Sequence, residues 1–228
     1  MIEEIKKELK KNRDVKYSKF SSSLVPNTNN MLGVRLPILR KMAKTISDLD
    51  YEIFFKENDC EFFELKMLEG MVIGYIKLDF EKRLKYIEKF ISKIDSWSVC
   101  DSFCASIKIL AKDREKTKKF LEKYINSNKE FELRFCFVIL LMNYIEDDID
   151  YVLEKIKKFD NEAYYAKMAA AWCLSIAIIK HYKKTIDFIK RNKIQNFTLK
   201  KGITKAVESY RLTKEQKDEL KKLRQALL

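Results

Sequence analysis

FELRFCFVILLMNYI at 131–145 and YYAKMAAAWCLSIAII at 164–179 decide how this chain must be read. Each is too long for a strand of ordinary length, carries neither Gly nor Pro, and is apolar at helical spacing on nearly every side. Helices of that kind must be covered from several directions at once. The segments beside them are different. DREKTKKFLEKYI at 113–125 is rich in lysine and apolar on one face only, so one layer of helices is inner and the other outer.

Working outward, short polar breaks at Asp79, Asp95, Asp113, Asn128, Asp147, Asp160, Asn196 and Thr213 supply N-caps or the turns beside them. They divide residues 59–228 into pairs at about 61–76 with 79–92, 96–111 with 113–126, 129–145 with 147–158, 162–179 with 181–192, and 197–209 with 213–225. A recurrence of roughly 30 to 40 residues belongs to helical solenoids, whose pairs cover their apolar faces only by stacking on neighbours. The expected fold is therefore all-α, a curved superhelix of helix pairs. Residues 1–58 are less regular. A charged helix at 2–12 leads into SSSLVPNTNNML at 21–32, where Ser, Pro and Asn mark a loop, and Pro37 can open the next helix. That segment reads as an N-terminal cap, and no Gly- or Ser-rich linker divides residues 1–228 into more than one domain.

Composition narrows the function. With 46% apolar residues, four Gly and two Pro among 228, the chain can bury a core and favours helix over sheet. No run approaches the roughly 20 apolar residues that span a bilayer, and MIEEIKKELKK is unlike a signal sequence, so a cytoplasmic protein without membrane contact is expected. The five cysteines sit in apolar helical contexts that suit free thiols. A single histidine, His181, leaves no zinc pattern, and no metal or other cofactor is expected. The formal charge of +13 points to a polyanionic partner, a solvated lysine coat being the plainer alternative. No phosphate-binding loop precedes a helix and no Ser/His/Asp set exists; Gly70 and Gly74 suit close helix packing.

Four residues stand out as candidates for chemistry. Trp97 and Trp172, the two tryptophans, each fall in the first helix of a pair, and Asp101 follows Trp97 by four residues, which places both on one helix face. Arg134 lies in the intervening first helix, and the intervals of 37 and 38 residues suggest comparable positions in successive repeats. Taken singly, each has a structural reading: the tryptophans as core, Asp101 as an anion near a helix start, Arg134 as its ion-pair partner.

Together with GVRLPILRKMAK at 33–44, KIDSWSVCDSF at 93–103 and VESYRLTKEQKDEL at 207–220, these residues give a chain that resembles, over almost its whole length, the HEAT-like repeat DNA alkylation repair proteins, which include the AlkD type of DNA glycosylase. The resemblance implies a concave basic face that holds duplex DNA, with Trp97, Asp101 and Trp172 as catalytic residues and Arg134 on the DNA backbone. Inner-face lysines Lys167, Lys201 and Lys205 would track the duplex. It also implies a monomeric, cofactor-free glycosylase that releases 3-methyladenine and 7-methylguanine without flipping the base. The 21–32 loop is longer and more polar than is usual in that family. Two other readings stay open at this point: a non-catalytic protein that binds branched or distorted DNA, and a protein-interaction scaffold.

Overall fold

A computed structural model describes residues 1–25 and 28–226. Pro26 and Asn27 of the expected loop, and the C-terminal Leu227 and Leu228, lie outside the described residues. Among those described, the chain is all-helical, with fourteen α-helices, a 3-10 turn at Lys108–Ala111 and no strand. It divides into two compact units, 1–114 and 115–228.

The first unit holds α1 (Ile2–Lys11), α2 (Val15–Ser22), α3 (Leu36–Asp48), α4 (Tyr51–Glu57), α5 (Phe63–Tyr75), α6 (Phe80–Ile91) and α7 (Trp97–Ser106). Helix α3 packs on α5 and α5 on α7, while α4 and α6 lie against α3 and α5. Helix α5 is buried nearly all round, from Phe63 to Gly74 with Lys66 as the single gap, as its sustained apolar sequence requires. Gly70 and Gly74 are packing positions: a Cβ at Gly74 would stand 2.5 Å from Ser106 Cβ and 2.6 Å from Ser106 O, so α5 and the end of α7 meet backbone to backbone.

The second unit begins with α8 (Arg114–Ile125), which starts at the boundary, and continues through α9 (Glu130–Asn143), α10 (Ile149–Lys158), α11 (Tyr164–Lys180), α12 (Tyr182–Arg191), α13 (Asn196–Val207) and α14 (Lys214–Ala226). Helix α9 packs on α11 and α11 on α13. Small side chains bring α11 close to its neighbours, with Ala166, Ala169, Ala170, Ala171 and Ala177 all buried. The lysine-rich helices form the other layer. There, links recur at the repeat interval: Lys155 to Glu122 across 33 residues, and Lys180 to Glu146 and Lys184 to Asp150 across 34 each.

First helices begin at residues 63, 97, 130, 164 and 196, so the repeat is 32–34 residues long. The expected breaks hold to within a few residues, with instructive differences. Asp79 caps α6 as read, and Thr213 with Gln216 makes a reciprocal capping box. For α7 the cap is Ser96 rather than Asp95, whose carboxylate takes Lys66 Nζ at 2.6 Å, and for α10 it is Asp148 rather than Asp147. Helix α7 stops at Ser106 instead of reaching 111. The hydroxyls of Ser102 and Ser106 bond back to the carbonyls of Val99 and Ser102, a local competition that weakens helix continuation, and the chain tightens into the 3-10 turn. Two short helices were not expected. Helix α2 occupies Ser21 and Ser22 of the expected loop, and α4 follows its cap Asp50.

Candidate functional site

Helix α7 carries the first pair of candidates. Ser96 opens the helix by accepting the Val99 N–H, and Val99, Cys100 and Phe103 fix its inner face in the core. The opposite face then presents Trp97 and Asp101 one turn apart, both half-buried. The indole N–H of Trp97 donates to the carbonyl of Leu24 at 3.0 Å, which ties the tryptophan to the segment that follows α2. Beside it lies a cavity of about 110 Å³, whose walls include Tyr17, Gly33, Phe63, Glu64 and Met67 as well as Trp97.

A buried carboxylate organises this wall. Glu64, 2% exposed in the first turn of α5, accepts the backbone N–H groups of Leu32 at 3.0 Å, Gly33 at 2.7 Å and Val34 at 3.2 Å. Three donors around one carboxylate compensate the cost of burying its charge. Gly33 sits at φ +84°, and a Cβ there would fall 2.3 Å from Asp14 O, so a side chain is excluded on both counts. Asp14 caps α2 and takes Arg35 at 2.8 Å, while the Arg35 guanidinium lies 3.8 Å from the Tyr17 ring centre. The Tyr17 N–H, and then Arg35, hold the Asp14 carboxyl below the usual carboxylate range. Helix α2 itself buries no side chain.

The remaining candidates lie in the second unit. Arg134 is only 6% exposed, and its guanidinium donates to the Tyr165 carbonyl at 3.1 Å while Glu130 accepts the Tyr165 N–H at 2.6 Å. The two side chains of α9 thus clamp the start of α11. Trp172 stands two turns farther along α11, half-buried, in a stripe with Tyr165, Met168 and Ile176. Lys167 pairs with Glu162 at 3.0 Å and lies 4.7 Å from the Phe197 ring centre. Lys201 and Lys205 are half-buried, a turn apart on α13.

The expectation of comparable positions is corrected. Trp97 is the first residue of α7, Arg134 the fifth of α9 and Trp172 the ninth of α11. A side-chain spacing of 37 to 38 residues against a helix spacing near 33 moves each one turn deeper into its helix. Sequence reasoning also passed over Tyr17, Asp14 and Glu64. The signal for Glu64 was present, as an acid inside FFELKML at 62–68, where every other residue but Lys66 is apolar and a buried charge persists only with partners.

A family model described as DNA alkylation repair enzyme matches residues 5–206. No curated protein matches the chain significantly. With most of its length matched, the chain belongs to the DNA alkylation repair enzyme family, and so to the enzymes of DNA repair, whose partner is DNA.

Proposed function

From that membership we propose that this protein is a cofactor-free DNA glycosylase that hydrolyses the N-glycosidic bond of cationic alkylated purines, 3-methyladenine and 7-methylguanine, in duplex DNA. The observation that carries the reading is the placement of Trp97 and Asp101 on one face of α7. Alkylation at N3 of adenine or N7 of guanine leaves a positively charged base that departs without prior protonation. As the bond from C1′ to the base nitrogen breaks, its electron pair goes to the base, which leaves neutral, and positive charge builds on the sugar.

An anionic carboxylate at Asp101 opposes that charge and orients a water whose oxygen bonds to C1′; the water's proton passes to the carboxylate and on to solvent. The indole face of Trp97 attracts the cationic sugar or base by roughly 0.5 to 2 kcal/mol, a preference that neutral DNA does not enjoy. Trp172 is assigned the same preference, and its half-exposed stripe on α11 supports that role. Arg134 is assigned to the DNA backbone, and its clamp on Tyr165 makes it a positioning residue for the start of α11 as well. Lys167, Lys201 and Lys205 are assigned to phosphates along the duplex. The reading includes a monomer and a lesion that is not flipped into an enclosing pocket.

Base release from N-methylated duplex DNA tests the proposal. Wild-type protein is expected to liberate the methylated base, and Asp101→Asn to lose at least about a hundredfold in rate with DNA binding kept. Equal release by both proteins removes Asp101 from the chemistry. Binding without any release by the wild type makes the chain a non-catalytic DNA-binding member of its family.

A further inference from the structure

Helix α2 buries no side chain and the turn after it buries Val25, yet the segment also carries large apolar side chains that face solvent. Phe20 is 63% exposed and Leu24 is 56% exposed, and neither belongs to a helix face that another element covers. They stand four residues apart, and the Leu24 N–H bonds to Ser21 O at 3.0 Å, so the helical turn continues through them and puts them on one side. Lys16 lies one turn before Phe20 on the same side, and Arg13 and Lys19 are exposed beside it. This apolar tip is not loosely attached. The Leu24 carbonyl accepts the Trp97 indole N–H, Ser18 Oγ donates to Met31 O at 2.7 Å, and Asp14 caps the helix.

We infer that Phe20 and Leu24 form a wedge that enters the minor groove of the duplex beside the nucleotide facing Trp97 and Asp101, with Lys16, Lys19 and Arg13 on the flanking phosphates. Phenylalanine and leucine are among the side chains that part base steps from the minor groove, where a ring and a branched chain fit between base edges and phosphates line both rims. The charge matches that occupant: an apolar pair bordered by cations suits a groove walled by anions. A second copy of this basic chain would set like charges against each other at the same spot. Unstacking costs a few kcal/mol, least where the helix is already weakened, so the wedge favours damaged steps. The inference rests on the DNA-directed reading of Asp101 and Trp97, and it supplies what that carboxylate lacks by itself: a means of opening the sugar to it without enclosing the base.

The test uses the full chain and a duplex that carries a tetrahydrofuran abasic analogue, which has no base to release, next to 2-aminopurine. Wild type and Asp101→Asn are expected to raise 2-aminopurine emission on binding. The double variant Phe20→Ala/Leu24→Ala is expected to lose that rise and to bind roughly tenfold more weakly, with an unchanged melting temperature because both side chains are exposed; Phe20→Trp restores the rise. Unstacking by the double variant equal to wild type, or none by the wild type, overturns the wedge. So does a double variant that binds this duplex normally but shifts from dimer to monomer, since the occupant is then a second copy. Base release and unstacking separate the two ideas. Unstacking without release from methylated DNA overturns the glycosylase alone, and release without unstacking overturns the wedge alone.

Discussion

The two units solve the same problem with different means. In residues 115–228 the first helices are joined by apolar side chains that repeat: the alanines of α11, and Leu133, Leu174 and Ile203 on the alternate helices α9, α11 and α13, are all buried. In residues 1–114 the wall beside Trp97 is built from polar contacts used once, with Glu64 under three backbone amides and the Asp14 and Arg35 pair over Tyr17. Apolar packing is non-directional and tolerates repetition, whereas a buried carboxylate needs its donors at fixed places. A region held by such contacts can set the angle of one side chain, and that region holds the candidate catalytic face.

Glu64→Ala attacks this difference most directly. It leaves three buried N–H groups without their acceptor, a loss of about 3 to 5 kcal/mol, and Glu64→Gln, which keeps one oxygen, recovers part of it. Hydrogen exchange is expected to show protection lost first at 14–25, at 28–37 and in α5, and protection lost first elsewhere would break the comparison. Leu174→Ala is the counterpart in the packed unit. Leu174 is fully buried, so about 3 kcal/mol is expected from denaturant titration, with exchange rising in α11 and α13.

A smaller effect sharpens the contrast through pH. Because the Asp14 carboxyl is depressed in the folded chain, its contribution is complete above the carboxylate's unfolded range and is lost as pH falls through and below it. Trp97 emission in a Trp172→Phe background is expected to shift only in acid, and Asp14→Asn to abolish that step. Smallest of all, Lys184→Ala removes an exposed pair of 2.7 Å with Asp150 and is expected to change stability by less than about 0.5 kcal/mol. A larger change would mean that the repeated surface bridges, and not the apolar layer, hold the second unit together.

Sequence periodicity carried the first helices because a helix buried on all sides keeps its apolar content whatever its neighbours do. The pair Trp97 and Asp101 was legible for a similar reason, since four-residue spacing fixes a shared face before any packing is known. Helix α2 was not, because a helix that buries nothing has no apolar period to find; its trace was the cap Asp14 alone. The depths of Arg134 and Trp172 were hidden because they depend on where α9 and α11 start, and both starts, at Lys129 and Ala163, lack a capping side chain.

One consequence of the pinned wall concerns how this chain can change over generations. The segment between α2 and α3 is fastened at one end by Leu24 on Trp97 and at the other by Leu32, Gly33 and Val34 on Glu64. Between fixed ends, each doubling in length of an inserted segment costs only about 0.6 kcal/mol of closure entropy. Insertions there reach the neighbourhood of the candidate site while leaving its anchors in place, so this is where descendants of one ancestral scaffold can try new contacts at the smallest thermodynamic risk.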